Sequence, residues 1–364
     1  MKIIRLSTFL DFGGLEKRLV NVSHAQDDNE WVFVCLNNTG YAAQEILNNG
    51  KRVVNLKTKP SIYSLNTTYK LFQFLRKEKP NVLHTSGAEA NFHGVIAGKL
   101  AGVKTIVAEE IGTPSHSHIA RIIFTQIYKL AHAVIGNSKP VIDVLHKSTS
   151  VPSKKLYQVN NPIIFEEFNA QDFTFQPINS THLISVSRLT AIKNIPGIIK
   201  AFSDLVKEGY DLYYHIYGEG EERSKIEGII ENLQLKNRII LHGFEANPIQ
   251  KLQAADIFIL NSYTEGFSNA LCEAMYTKTI SISTDSGSAT EMIEHGQSGF
   301  IIPVDDSESL SKQIEFILNL DATSREQIQE KAHQKVVSSY SLEHHLAELY
   351  RIYKSKKTNP NISF

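Results

Sequence analysis

Two cations occupy a loop where phosphate chemistry would be possible. Arg188 and Lys193 lie five residues apart in SVSRLTAIKN, which leads from a strand-like segment into a helical one. Both side chains can reach an anion that the backbone N–H groups of a helix N-terminus would also attract. The spacing predicts a diphosphate site that needs no metal ion. The alternative interpretation is an ordinary solvated basic surface.

Two glutamates mark a second loop, in NSYTEGFSNALCEAMYT at residues 261–277. Glu265 precedes a predicted helix and Glu273 lies on it, eight residues later, which is a poor spacing for a shared acid–base pair. They could instead bind different parts of one elongated anionic ligand, although acidic residues often have this spacing by chance. The backbone amides and candidate N-caps at the helix start belong to Gly266, Phe267, Ser268 and Asn269.

Strand-like and helix-like segments alternate through both halves of the chain, which predicts parallel sheets with right-handed crossovers. An irregular stretch at 161–180 is typical of a linker. We therefore expect an α/β protein with two Rossmann-like, doubly wound domains, at 1–168 and 169–340, and a C-terminal helical segment at 341–364 that returns to the first domain. Ligands in such sheets bind beyond the carboxyl ends of the strands, where the loops above lie.

The strand-like segments of the first half are 1–10, 31–36, 51–56, 81–86, 105–110 and 133–138, and those of the second half are 182–188, 212–218, 238–243, 257–262 and 279–284.

Composition excludes several classes of protein. The 364 residues contain 38 Lys and Arg against 38 Asp and Glu and are 42% hydrophobic, so the chain is neither disordered nor collagen-like. Two cysteines, Cys35 and Cys272, are too few for a disulfide framework. No apolar run reaches the roughly 18 residues of a membrane span. These features predict a cytoplasmic protein.

The charge is unevenly distributed. Residues 1–168 carry 20 Lys and Arg against 13 Asp and Glu, which could orient this half on an anionic membrane face. The segment 119–131, with Arg121 and Lys129 among apolar neighbours, is either a membrane-docking patch or a core-facing helix. No dense basic stripe with interleaved aromatics indicates nucleic-acid binding.

In combination and in order, the motifs resemble those of the retaining glycosyltransferases of family 4, over nearly the whole chain. The resemblance implies the GT-B fold, in which two Rossmann-like domains face each other across a cleft. The matching segments are GGLEKRL (13–19), SRLTAIKN (187–194), YGEGEER (217–223), LHGFEANPIQKLQAADIFILNS (241–262), EGFSNALCEAM (265–275) and STDSGSATEMIEHGQSGFIIP (283–303).

The resemblance also implies roles for residues. Arg188 and Lys193 would neutralise the departing diphosphate in place of a metal, because stabilisation of developing charge usually contributes most to catalysis of this kind. Glu265 would bind hydroxyls of the donor sugar and Glu273 those of the ribose. No protein nucleophile and no cofactor is implied. The other donor-binding residues would be Gly13, Gly14, Gly218, Phe244, Gly266, Phe267, Ser268 and Asn269.

One departure from the family concerns a histidine that many relatives place near the reacting sugar. TIVAEEIGTPSHSH has Glu109 and Glu110 at that point. We expect Glu110, or else His116 or His118, to take its place; a structural role for Glu110 is the alternative. The candidate acceptor-binding residues are His84, Glu89, His93 and His116, each of which could equally be an ordinary polar residue at a strand end or helix start.

The predicted function is transfer of a hexosyl or N-acetylhexosaminyl group from a nucleotide sugar to a sugar hydroxyl of a lipid-linked or growing surface polysaccharide. The Ser-Asn of EGFSN is similar to that of relatives that use UDP-linked sugars. A non-catalytic GT-B subunit or glycan-binding scaffold and a sugar-nucleotide epimerase are alternatives. A nicotinamide-dependent oxidoreductase is disfavoured, because Arg223 stands where the third glycine of its phosphate loop would be.

Overall fold

The computed structural model describes residues 1–112, 118–164 and 173–355. The chain divides into two compact units, Met1–Ile164 with Tyr340–Phe364 and Phe165–Ser339. The boundary predicted near residue 168 lies outside the described residues. No helix among the described residues combines the length and apolar character that a membrane crossing requires.

The first unit is a seven-stranded parallel sheet in the order β3-β2-β1-β4-β5-β6-β7. Its strands are β1 (Lys2–Ser7), β2 (Glu30–Cys35), β3 (Arg52–Asn55), β4 (Val82–Ser86), β5 (Thr105–Glu110), β6 (Ala133–Gly136) and β7 (Leu156–Gln158). Its connecting helices are α1 (Gly14–Ser23), α2 (Tyr41–Asn48), α3 (Leu65–Glu78), α4 (Ala88–Leu100), α5 (His118–Leu130) and α6 (Lys139–Ser148).

The second unit is a six-stranded parallel sheet in the order β10-β9-β8-β11-β12-β13. Its strands are β8 (Thr181–Val186), β9 (Leu212–Tyr217), β10 (Ile239–Gly243), β11 (Ile257–Leu260), β12 (Ile280–Thr284) and β13 (Phe300–Ile302). Its helices are α7 (Ile195–Lys207), α8 (Arg223–Asn232), α9 (Ile249–Ala254), α10 (Asn269–Tyr276), α11 (Ala289–Met292), α12 (Ser307–Leu318) and α13 (Ala322–Ser339).

The central strands of both sheets are short, apolar and buried on both faces, as parallel sheets require, whereas the edge strands β3 and β10 are only partly buried. Consecutive residues of β2 from Trp31 to Cys35 are all buried, and so are those of β11 from Ile257 to Leu260. Runs of this kind, separated by amphipathic helices, are the pattern that predicts two α/β domains. That prediction is confirmed.

A buried ion cluster holds the first unit together around one carboxylate, Glu109 at the end of β5. Its Oε2 accepts from Arg5 Nη2 at 3.2 Å and from Ser86 Oγ at 2.7 Å, and its Oε1 lies 2.5 Å from Arg18 Nη1. His84 Nε2 lies 3.4 Å from Oε2. Burial raises the pKa of Glu109, but the positive charges of Arg18 and Arg5 outweigh it and hold the pKa well below the ordinary value.

The last helix, α14 (Leu342–Lys354), belongs to this unit and contacts the same cluster. Tyr353 is buried, and its hydroxyl lies 2.6 Å from His84 Nδ1. His345 Nδ1 lies 2.7 Å from the backbone oxygen of Asn160, so the ring donates there. The cluster therefore joins β1, α1, β4, β5 and α14.

We expect Glu109→Gln to destabilise the protein by about 3–5 kcal/mol, because it leaves two buried guanidinium groups without a counter-charge. Urea unfolding measures this loss. The control is Glu227→Gln, which breaks an exposed 2.9 Å pair with Arg223 and should cost less than about 1 kcal/mol. Equal, small losses in the two variants would show that the Glu109 cluster does not stabilise the unit.

Candidate active site

The candidate site of the second unit lies at the carboxyl edge of its sheet, where the loops after several strands are bonded to one another. The Tyr263 amide, after β11, donates to the backbone oxygen of Ile192, after β8, at 2.8 Å. The Ser288 amide, after β12, donates to the backbone oxygen of Gly266 at 2.9 Å. These bonds give the predicted site residues a fixed framework.

The glycine turn after β9 supports the loop that carries Arg188. Gly218 has φ of +143°, and a Cβ there would come within 1.8 Å of the backbone oxygen of Ser187. The Leu189 amide also donates to the backbone oxygen of Glu219 at 2.9 Å. Gly218 therefore lets the two loops pack backbone to backbone, and Arg188 itself is exposed.

Lys193 and Glu265 form an ion pair at the centre of this edge. Lys193 ends the short 3₁₀ turn Ala191–Lys193, and its Nζ contacts Glu265 Oε1. Ser262 Oγ donates to the same oxygen at 2.7 Å. The side chains of Lys193 and Glu265 are 16% and 12% exposed, so the pair is accessible to a ligand but mostly shielded from water.

The backbone of Gly287 packs closely against Glu265. It has φ of +58°, and a Cβ there would lie 2.5 Å from the backbone oxygen of Glu265 and 2.6 Å from its Cβ. Any side chain at position 287 would displace the loop or the glutamate. The turn after β12 thus fixes where the Glu265 backbone runs.

The helix that follows Glu265 begins as expected. Ser268 is its N-cap, accepting at Oγ from the Leu271 amide at 3.3 Å, which confirms one of the two predicted caps. The amide of Gly266 has no hydrogen-bond acceptor among the described residues. Of the remaining predicted donor-binding residues, Phe267 and Glu273 are buried, Asn269 is the first residue of α10 and Phe244 is exposed in the loop after β10.

The predicted contact between an anion and the start of the helix after Lys193 stays a prediction, and two features of this helix start reduce the N–H groups that an anion could use. Asn194 caps α7 in the left-handed conformation, and its Oδ1 accepts from the Gly197 amide at 3.2 Å. Pro196 has no N–H group to offer. The helix start therefore satisfies one of its own donors and lacks another.

In the first unit, the glycine loop lies after β1. Gly13 precedes α1 and Gly14 is its first residue, with the Lys17 amide bonded to the backbone oxygen of Gly13 at 2.9 Å. Arg18 on the same helix contacts Glu109, so the buried cluster fixes the helix that the glycines begin.

Glu110 is buried at the end of β5, where polar side chains contact its carboxylate. Its Oε1 accepts from Asn91 Nδ2 at 3.1 Å and from the Tyr128 hydroxyl. Burial raises the pKa of Glu110 to about 7, although both of these hydrogen bonds oppose the shift. Glu110 is thus a carboxyl group that titrates near neutrality, and its proposed part in place of the family histidine stays a prediction.

Two of the predicted acceptor-binding histidines are core residues. His84 lies within β4 rather than in an exposed loop, fully buried against Glu109 and Tyr353, and burial lowers its pKa to about 4. His93 is buried in α4, with Nδ1 2.7 Å from Thr68 Oγ1 and Nε2 2.9 Å from the backbone oxygen of Ser61. Short polar segments do not reveal which side chain faces the core.

The other two predicted acceptor-binding residues are Glu89 and His116. Glu89 is half-buried in the first turn of α4 and accepts from Thr8 Oγ1 at 3.3 Å, next to the loop after β1. His116 lies outside the described residues. Across the parts of the chain that the structure describes, no group of three or more His, Cys, Asp or Glu side chains could hold a metal ion.

Comparison with known protein families assigns the chain to one of them. The sequence model described as "Glycosyltransferase Family 4" matches residues 12–167, and that described as "Glycosyl transferases group 1" matches residues 170–335. The chain belongs to glycosyltransferase family 4. The family that the motifs resembled is therefore confirmed, and both halves of the chain contribute to the match.

Individual relatives are distant. A Campylobacter jejuni protein named N-acetylgalactosamine-N,N'-diacetylbacillosaminyl-diphospho-undecaprenol 4-alpha-N-acetylgalactosaminyltransferase is 26% identical over 240 residues, or 64% of this chain and 65% of that protein. The capsular polysaccharide biosynthesis glycosyltransferase CapM of Staphylococcus aureus is 22% identical over 324 residues, or 83% of this chain and 84% of CapM. The chain thus spans slightly less than two thirds of the first of these relatives.

Solved structures share the fold. The UDP complex of HepE from Anabaena superposes with a TM-score of 0.83 at 19% identity and covers 96% of this chain and 99% of that chain. At this identity the likeness establishes the GT-B fold and not the ligand.

Several residues at these sites were given no role by the sequence analysis, although Ser262 and Gly287 lie inside segments that match the family. Ser262 and Gly287 contact Glu265, and Asn91 and Tyr128 contact Glu110, yet none of them was predicted to do so. The sequence signals for Ser262 are its place after a buried strand and its place at the end of the 241–262 segment that resembles the family, and neither indicates a contact with Glu265. Asn91 on α4 and Tyr128 on α5 are 19 and 18 residues from Glu110 along the chain, so only the fold brings them together.

The pKa of Glu110 leads to a stability prediction. The folded-state value of about 7 exceeds the ordinary 4.5, so Glu110 favours the folded state at low pH and this contribution is lost as the pH rises through 7. Glu110→Gln mimics the protonated form. We expect the stability of the variant relative to wild type to rise by up to about 3 kcal/mol between pH 5 and pH 8.

Urea unfolding at pH 5 and pH 8 measures the difference in unfolding free energy between the variant and wild type. Both proteins contain the same histidines, so the effect of histidine titration cancels in this difference. A difference that does not change with pH would contradict the assignment of a raised pKa to Glu110.

Proposed function

We propose that the protein is a retaining, metal-independent glycosyltransferase that moves a hexosyl or N-acetylhexosaminyl group from a nucleotide sugar, of the UDP type, to a sugar hydroxyl. The acceptor we propose is a lipid-linked or growing surface polysaccharide. The observation that carries the proposal is the contact between Lys193 and Glu265 at the carboxyl edge of the second sheet.

This contact brings a cation and an acceptor of hydroxyl hydrogen bonds to one place. Lys193, with the exposed Arg188 on the same loop, supplies positive charge for a diphosphate, and Glu265 can bind sugar hydroxyls. A diphosphate would compete with Glu265 for the ammonium group. The pair therefore holds Lys193 in place before the donor binds.

The chemistry follows from these groups. The bond between the anomeric carbon and the diphosphate oxygen breaks as the acceptor oxygen forms its bond on the same face, and the acceptor proton passes to the departing phosphate. Negative charge grows on the diphosphate, where Lys193 and Arg188 stabilise it most in the transition state. No metal and no protein nucleophile is needed in this scheme.

The names of similar proteins support the proposed donor and acceptor. HepE was solved with UDP and also with UDP-glucose, and the name of the Campylobacter jejuni relative specifies an undecaprenol-diphosphate acceptor and an N-acetylgalactosaminyl group. These names support a UDP-sugar donor and a lipid-linked acceptor for this chain.

Calorimetric titration with UDP, GDP, ADP and NAD in EDTA tests the donor class. We expect UDP to bind selectively, and Lys193→Met to weaken its binding at least tenfold, because a charge-assisted hydrogen bond contributes about 1.5–3 kcal/mol. The control is Lys207→Met, which removes an exposed lysine near the end of α7 and should leave UDP affinity unchanged.

Other outcomes would redirect the proposal. Binding of NAD alone would favour an oxidoreductase, and binding of no nucleotide would favour a non-catalytic scaffold. Loss of UDP binding in EDTA and its recovery with Mg²⁺ would contradict metal-independent binding by Lys193 and Arg188.

We also propose that the first unit docks on the cytoplasmic face of a membrane through α5. One face of this helix is buried through residues such as Phe124. The opposite face exposes Ile119 by 71% and Ile122 by 54%, with Arg121 between them and Lys129 near the helix end. Apolar groups flanked by cations suit the interface of an anionic bilayer, where a lipid-linked acceptor would be found.

Co-sedimentation with vesicles tests this docking. We expect binding to phosphatidylglycerol vesicles that exceeds binding to phosphatidylcholine vesicles, and a severalfold loss in the double variant Ile119→Ser with Ile122→Ser. The control is Leu100→Ser, because Leu100 is 67% exposed at the far end of α4. Equal binding by the double variant and the control would reject α5 as the docking surface.

A further inference from the structure

We propose that Ser262 is a positioning residue that aims Glu265 at the donor sugar and so helps to decide which hexose is accepted. The inference rests on the proposed function, because it assumes that Glu265 binds sugar hydroxyls. It gives a role to a residue that lies within the matching segments but was assigned none.

The Ser262 hydroxyl has a fixed position. Ser262 is fully buried, two residues after the end of β11, and its backbone oxygen accepts from Thr284 Oγ1 at 2.7 Å. Thr284 ends the neighbouring strand β12, so both sheet strands hold the Ser262 backbone. From there Ser262 Oγ donates to Glu265 Oε1 at 2.7 Å.

The two oxygens of Glu265 are not equivalent. Ser262 and Lys193 both contact Oε1, while Oε2 has no hydrogen-bond partner among the described residues. A carboxylate held at one oxygen presents the other in a defined direction. Gly287 lies against the Cβ of Glu265 and restricts where the side chain can start. Oε2 is therefore the oxygen that we expect to accept a donor hydroxyl.

Ser262 and Lys193 contribute differently once a donor binds. A diphosphate would attract the ammonium group of Lys193 away from Glu265, because both are anions competing for one cation. Ser262 is neutral and buried, and its hydroxyl donates a hydrogen bond to Glu265. Ser262 would thus keep the carboxylate aimed while Lys193 serves the phosphates.

Because Lys193 binds the phosphates and Ser262 orients the carboxylate, we expect a Ser262 variant to lose affinity for the sugar but not for the diphosphate. Loss of the Ser262 hydroxyl should leave the diphosphate contacts intact and weaken the contact with the sugar. A carboxylate free to rotate should also discriminate less between hexoses that differ in the direction of one hydroxyl.

The test compares the binding of UDP, UDP-glucose and UDP-galactose in wild type and Ser262→Ala by calorimetry. We expect the affinity for UDP to stay within about twofold. The affinity gained from the preferred sugar, measured as the ratio of the UDP and UDP-hexose dissociation constants, should fall about tenfold, as should the preference between the two hexoses.

Two further variants complete the design. Ser281→Ala removes a buried hydroxyl on β12 that donates to the backbone oxygen of Thr279 at 3.0 Å, and it should change none of these constants. Ser262→Cys keeps most of the side-chain volume with a weak donor, so it should show the same defect in smaller degree even if the alanine variant is unstable.

The outcomes separate the inference from the function on which it rests. If wild type prefers one UDP-hexose over UDP and Ser262→Ala keeps that preference, Ser262 has no positioning role. A parallel loss of UDP and UDP-hexose affinity would also overturn the inference, since it indicates general damage to the site. If wild type binds none of the three probes, the proposed function fails and the inference fails with it.

Discussion

The carboxyl ends of parallel strands lie at one edge of a sheet, and this constraint determines where each unit can bind a ligand. In the second unit it brings together loops that are far apart in the sequence, so Lys193 after β8 meets Glu265 after β11. The turn after β12 then encloses Glu265 through Gly287. The ion pair is thus a consequence of strand order, and the backbone bonds between the loops keep it in place.

Most of the fold could be predicted from the sequence because apolar runs and amphipathic segments alternate clearly. The strand predicted for TIVAEE at 105–110 has the bounds of β5. The three-residue strands β7 and β13 were missed, because so short a segment shows no periodicity. The buried cluster around Glu109 was missed too, since charged residues such as Arg5 and Arg18 usually signal surface and only their mutual contacts explain their burial.

The candidate site was predictable where chemistry depends on residue type within one loop, as for Lys193, Glu265 and the Ser268 cap. It was not predictable where position depends on packing between elements. His84 looked like a strand-end histidine open to an acceptor, but the two guanidinium groups and Glu109 draw that end of β4 into the core. The contact of the Ser262 hydroxyl with Glu265 could not be predicted either, because it depends on how the loop folds after the strand.

A crystal structure with an unhydrolysable UDP-hexose is the most direct test of the central claim, that the carboxyl edge of the second sheet binds the donor through Lys193 and Glu265. We expect the diphosphate to lie within hydrogen-bond distance of Lys193 and Arg188, and a sugar hydroxyl to bind Glu265 Oε2. A donor bound elsewhere, or one whose diphosphate is held by a metal ion away from Lys193, would contradict this claim.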